Sequence, residues 1–255
     1  MLKKFFMNFE NFIFDLDGTV WKWTELIKGF EKVYQILKRL GKEVYFVTDN
    51  TLLTRDGYAK KLQNFGIDVK PNHIINPSIP ATKILKNKKV FCIGEGLITD
   101  LRKAGIKVTS SNPEVVLVGM DRTVNYEKLS MAVEFIMKGA SFFKTSKSNI
   151  FINGNKILPG TGAIAKVIEL TTGKKSKLLG APSKYMVEVF ESINLDPKKT
   201  VLFGDECDSD IALGNMLGYT TVLVTTGKDS TIEYLKARGI NEPKLVLKSI
   251  EEILN

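Results

Sequence analysis

The residues in this chain best suited to chemistry are carboxylates that follow short apolar runs. Phe12-Ile13-Phe14-Asp15-Leu16-Asp17-Gly18-Thr19 carries a buried-strand pattern straight into two carboxylates, one residue apart, and a glycine turn. In an open α/β sheet ligands bind off the carboxyl ends of the strands, so Asp15 and Asp17 are expected at a crevice. Crowding two carboxylates there is costly unless a cation or a substrate uses them. A hard divalent cation taking oxygen ligands would neutralise them, and magnesium fits so small a set. A polar turn after a strand and a calcium loop are the other two readings. The calcium loop needs further acidic or amide oxygens at alternate positions, which Thr19 and Trp21 do not supply.

Two more stretches repeat the arrangement. Phe46-Val47-Thr48-Asp49-Asn50-Thr51 sets hydroxyl and amide groups at the end of an apolar run. With the backbone N–H groups of the next turn, such groups could hold phosphate oxygens. Taken alone, a stretch of this kind is more often a helix N-cap. Phe203-Gly204-Asp205-Glu206-Cys207-Asp208-Ser209-Asp210 places four carboxylates within six residues. They would repel one another on an unliganded surface, and either Asp208 or Asp210 is expected to cap the helix that follows.

The elements that must position these groups read as alternating apolar runs and amphipathic helices, the pattern of βα units and a parallel sheet. Strands are predicted at Phe12–Phe14, Val44–Val47, Val90–Ile93, Val115–Val118, Leu178–Leu179, Val201–Phe203 and Val222–Val224. Helices are predicted from Leu26 to Leu40, through Tyr58, Leu62 and Phe65, and from Tyr126 to Met137, where Leu129, Val133 and Ile136 share a face. Gly154 to Gly162 reads as loop chemistry leading into a helix. The parse is an α/β fold: a core supplied by residues 1–73 and 177–255, with a second α/β unit inserted over 74–176.

Composition narrows the function classes. At 255 residues, 44% hydrophobic and 25% charged, the chain has an ordinary globular make-up. No apolar run approaches the ~18 residues of a membrane helix, so no membrane partner is expected. The start, MLKKFFMNFENFIFDLDG, superficially suggests a signal peptide, but Asn8, Glu10 and Asn11 interrupt it. It reads as a first core strand with a short lead-in. The net charge of +9 comes from dispersed lysines without interleaved aromatics, which argues for a solvated surface and against nucleic acid. The two cysteines, Cys92 and Cys207, make no disulfide framework, and a cytoplasmic home is expected. His73 is the only histidine and reads as a loop residue, so catalysis must lean on carboxylates, hydroxyls and lysines. Trp21 and Trp23 are expected to pack against core or cap, and Cys207 to be shielded.

FDLDGTVW, VTDNT and GDECDSDI, in that order, resemble motifs I, II and IV of the haloacid dehalogenase superfamily. The middle of the chain resembles the type IIA cap of its p-nitrophenyl-phosphatase-like branch, through IGEGL, VGMDRTVNYEKL, PGTGAI and GAPSKYM, with LVTTG following late. The resemblance implies a Rossmann-like three-layer core, an inserted cap, magnesium, and hydrolysis of small phosphorylated metabolites. It makes Asp15 the nucleophile that forms an aspartyl-phosphate and Asp17 the group that protonates the leaving oxygen and then activates water. Asp17 also faces the metal through its backbone carbonyl. Thr48, with Asp49 and Asn50 beside it, would hold the phosphoryl group. Asp205 would complete the metal site with Asp15, and Asp210 would support it. Gly160, Thr161 and Gly162 would form a substrate-facing cap loop, and the cap offers a homodimer surface by analogy.

The sequence departs from the branch at one catalytic position. Gly180-Ala181-Pro182-Ser183 carries alanine where the branch has the lysine of motif III. Lys184, one turn on, and Lys177, before the strand, are the candidates to replace that cation. Asp49, where the branch has asparagine, adds negative charge. The alternative function is therefore an impaired member that binds a phosphorylated ligand or partner without efficient turnover.

Overall fold

The computed structural model describes residues 3–153, 156–227 and 242–254. The chain divides into two units, Met1–Thr48 with Ala59–Ile75 and Met186–Asn255, and Asp49–Tyr58 with Asn76–Tyr185.

The first unit is built on a parallel six-stranded sheet in the order Leu245–Leu247, Thr220–Val224, Thr200–Gly204, Asn11–Asp15, Glu43–Val47, Ile74–Ile75. Every residue of the two central strands, Asn11–Asp15 and Thr200–Gly204, is buried, as a parallel strand covered on both faces requires. Aromatic rings tie the sheet together and to its helix: Phe14 stacks on Phe203 of the neighbouring strand at 4.8 Å and meets Phe30 edge-on at 5.1 Å. The register pairs Phe14 with Phe203 and Asp15 with Val47. The ends of three neighbouring strands therefore finish level with one another.

The helix Phe30–Arg39 buries Phe30, Val33, Tyr34 and Leu37. It starts four residues later than its periodicity predicts. Leu26 belongs instead to a small antiparallel hairpin, Trp21–Lys22 with Glu25–Leu26, turned at Trp23 with φ 56°. The N-terminal lead-in also holds a short helix, Lys4–Met7.

The second unit has its own parallel sheet, ordered Lys177–Leu178, Ser141–Lys144, Val115–Val118, Lys89–Ile93, Lys107–Val108. Leu97, Leu101, Leu117 and Phe143 pack in one apolar layer of this unit, and Phe91, Val116, Phe135 and Ile168 in another. The helix Tyr126–Met137 forms as its pattern predicts, with the Asn125 side chain accepting from the Lys128 N–H at 2.9 Å.

Residues 49–58 and 177–185, which the sequence parse assigned to the core, group with this unit. Lys177 and Leu178 pair with Phe143 and Lys144. The Thr51 hydroxyl accepts from the Met120 N–H at 3.1 Å. The predicted loop before Gly160 contains a strand, Lys156–Pro159, antiparallel to Ile150–Asn153. Gly154 and Asn155 lie outside the described residues. Among the described residues no helix is long and apolar enough to cross a membrane.

Candidate active site

Three strand ends in the first unit build the site. Asp15 closes the Asn11–Asp15 strand, Asp205 follows Thr200–Gly204 on one side, and Thr48 follows Glu43–Val47 on the other. Asp15, Asp205 and Thr48 are all buried, and the Thr48 N–H is fixed to the Ile75 carbonyl at 3.0 Å.

Asp210 arrives by a different device. Residues Cys207–Ile211 form a single π-turn in which the Glu206 carbonyl accepts from the Asp210 N–H at 2.9 Å and the Ile211 N–H at 3.4 Å. The extra residue turns Asp210 back toward the strand, where its Oδ2 accepts from the Glu206 N–H at 3.0 Å. Asp210 therefore does not cap the following helix, one of the two roles its sequence suggested.

The outcome is a cluster of the three buried carboxylates Asp15, Asp205 and Asp210, whose oxygens lie within 4.8 Å of one another. Glycines make room for it. A Cβ at Gly18, whose φ is +101°, or at Gly227 would collide with the Asp205 carboxylate, and one at Gly204 would collide with Asp210. Converging buried carboxylates repel, and a donor set made only of oxygens suits a hard divalent cation.

Asp17 stands apart from this group. Its Oδ1 accepts from the Trp21 indole N–H at 2.8 Å. Trp21 is buried as expected, but its hydrogen bond to an acid/base candidate was not legible in its sequence position.

These features decide the family once set beside known proteins. A family model described as haloacid dehalogenase-like hydrolase matches residues 12–107, and a second, HAD-hydrolase-like, matches 178–253. A 4-nitrophenylphosphatase of Schizosaccharomyces pombe is 31% identical over 98% of this chain and 95% of its own length. The chain belongs to the haloacid dehalogenase-like hydrolases. Its place is the 4-nitrophenylphosphatase-like branch, and by that membership it is a phosphatase. An acid sugar phosphatase of Staphylococcus haemolyticus is 31% identical over 91% of this chain and 90% of that one. Among solved structures, the 4-nitrophenylphosphatase of Thermotoga maritima superposes with a TM-score of 0.88 at 29% identity, covering 98% of each chain. The p-nitrophenyl phosphatase of Archaeoglobus fulgidus gives 0.87 at 30%, covering 96% of this chain and 98% of that one.

Asp49, Asn50, Gly160, Thr161, Gly162, Ala181 and Lys184 lie in the second unit, and His73 and Cys207 in the first. Asp49 Oδ1 accepts from the Ala181 N–H at 2.8 Å, and Asn50 Oδ1 from the Leu52 N–H at 3.0 Å. Lys184 is exposed, with its Nζ 5.2 Å from the Tyr185 ring centre. Thr161 is buried at the start of the helix Thr161–Thr172. Gly160 and Gly162 have a packing role, since a Cβ on either would strike the backbone of residues 147–150. Cys207 is fully buried, as expected. His73 lies in the short helical turn Pro71–His73, its Nε2 3.7 Å from Glu43.

Proposed function

We propose that this hydrolase is a magnesium-dependent phosphatase of small phosphate monoesters, working through an aspartyl-phosphate on Asp15. The observation that carries the reading is the convergence of three buried carboxylates at the carboxyl ends of adjacent parallel strands. Asp15, Asp205 and Asp210 would hold the metal, with the Asp17 backbone carbonyl beside them. Bound there, magnesium supplies positive charge that offsets the crowded carboxylates and the phosphoryl oxygens.

The protein's own groups carry the steps. An Asp15 oxygen attacks phosphorus, and the bond from phosphorus to the ester oxygen breaks. That oxygen takes the proton of Asp17, so an alcohol leaves and Asp17 becomes a carboxylate. Water then gives a proton to Asp17 and its oxygen to phosphorus. The bond from phosphorus to Asp15 breaks, releasing inorganic phosphate and restoring both aspartates. The Thr48 hydroxyl orients the transferring group throughout.

The names of the relatives make p-nitrophenyl phosphate and sugar phosphates the first substrates to try. Two buried cysteines, Cys92 and Cys207, favour a reducing cytoplasm. The test is phosphate release from p-nitrophenyl phosphate with and without magnesium, beside Asp15→Asn. Magnesium-dependent turnover lost in the variant is the expected result, and turnover equal in both proteins would overturn the reading.

A further inference from the structure

The hairpin that follows Asp17 does more than close a turn. Trp21 is fully buried, and its backbone is tied in twice: its N–H reaches the Leu16 carbonyl at 3.1 Å, and its carbonyl accepts from the Gly18 N–H at 2.8 Å. An indole has one donor to give, and here it goes to Asp17 Oδ1 at 2.8 Å.

Behind the ring stands a cation. Lys61 Nζ lies 3.8 Å from the Trp21 ring centre and donates to the Trp23 carbonyl at 2.7 Å. Lys61 sits on the helix Arg55–Asn64, where a lysine ordinarily extends its ammonium to water, but this one turns inward against a tryptophan face. Burial lowers its pKa, while the negative charge of Asp17 works to raise it. An ammonium over the ring face draws electron density from the indole and strengthens its N–H as a donor. The order Lys61, Trp21, Asp17 is thus a line of contacts ending on a carboxylate that carries the proton in the proposed mechanism.

We propose that Trp21, backed by Lys61, is a positioning residue that holds Asp17 where it can protonate the leaving oxygen, so that it governs substrates with poor leaving groups. The inference rests on the phosphatase reading above. A p-nitrophenolate departs with little need of a proton, whereas the alkoxide of an alkyl or sugar phosphate does not. A displaced Asp17 therefore slows formation of the aspartyl-phosphate from the second kind of ester only. The quantity to measure is kcat/KM, which reports that first step, for p-nitrophenyl phosphate and glycerol 2-phosphate side by side.

In Trp21→Phe, which keeps a ring and loses the donor, kcat/KM for glycerol 2-phosphate should fall about 10- to 100-fold, the range for a mispositioned acid. That for p-nitrophenyl phosphate should fall less than about threefold, since its leaving group calls little on the acid. Lys61→Met should shift the same ratio in the same direction by less, and Lys61→Arg should restore it. Equal losses on both esters, or no loss on either, would overturn the proposal.

A second readout does not need turnover. The Trp21 indole N–H resonance, assigned by its loss in Trp21→Phe, should move in Asp17→Asn and in Lys61→Met. A resonance indifferent to Asp17→Asn overturns the proposal even in an active enzyme. A wild type inactive on both esters, with a resonance that responds, overturns the phosphatase reading and leaves the contact established.

Discussion

In the second unit Asp121 and Glu169 are buried among their own donors, whereas in the first unit Asp15, Asp205 and Asp210 converge on one another. Asp121 Oδ2 meets Lys128 Nζ at 2.8 Å, and its Oδ1 accepts from the Thr123 N–H at 2.8 Å and the Thr123 hydroxyl at 2.7 Å. Glu169 Oε1 accepts from the Ser176 hydroxyl at 2.6 Å, with Lys144 Nζ at 3.5 Å. Burial pushes both carboxyls up, yet these donors outweigh it and hold both below their ordinary values. The three carboxylates of the first unit instead face like charge within 4.8 Å. One arrangement stabilises the fold as it stands; the other, under the proposed function, would be completed by a metal ion.

The largest effect expected from breaking this contrast is at Asp15. Asp15→Asn should lower phosphatase kcat by about 10⁴-fold or more, as loss of a nucleophile that acts in concert with its partners does. Thermal unfolding of the same variant without metal should show no loss of stability, because one of three mutually repelling charges has gone. A variant that both unfolds more easily and keeps its activity would assign Asp15 to structure.

Ala181→Lys comes next. Placing a cation at the motif III position, where this chain has alanine, should raise kcat/KM for p-nitrophenyl phosphate by about 100- to 1,000-fold, the scale of a single oxyanion donor. The Ala181 N–H that bonds Asp49 is backbone and survives the substitution. An unchanged rate would mean that another cation already fills the role, and Lys184→Ala would then be the informative variant.

Metal binding separates the two regions without any substrate. Magnesium at a hundred times its dissociation constant should stabilise the wild type by about 2.7 kcal/mol through mass action. Differential scanning calorimetry should show that gain shrink in Asp205→Asn and persist in Glu169→Gln. Equal gains in all three proteins would place the binding elsewhere.

How much of this was legible in the sequence depends on how local the cause is. The helix Tyr126–Met137 was readable end to end because its cap, Asn125, and its apolar face, including Leu129 and Ile136, are contiguous in the chain. The strand ends carrying Asp15, Thr48 and Asp205 were readable because a buried parallel strand leaves an unbroken apolar run. The direction of Asp210 was not, since it depends on one extra residue in the π-turn at Cys207–Ile211. The strand Lys156–Pro159 was hidden by exposed residues and a terminal proline, and it forms by pairing with Ile150–Asn153. The link from Lys61 through Trp21 to Asp17 joins a helix to a hairpin, and neither segment announces the other.

The smallest expected effect lies at Asp121. Its folded carboxyl titrates below the unfolded one, so the native state binds fewer protons between those two values. The stabilisation is therefore complete above the ordinary carboxylate value and is lost as pH falls through the depressed folded value. Lys128→Met removes the ammonium and leaves the two Thr123 hydrogen bonds, which should cost about 1–2 kcal/mol near neutrality for a partly exposed charged donor. It should also flatten the fall in stability on acidification, because burial, which raises the carboxyl, is then opposed by fewer donors. Urea unfolding of wild type and variant across the acid range measures both effects. Phosphatase activity at neutral pH should not change, since Asp121 and Lys128 take no part in the proposed chemistry. A loss of kcat with stability intact would instead give the second unit's paired carboxylate a catalytic duty, and the contrast between the two regions would no longer hold.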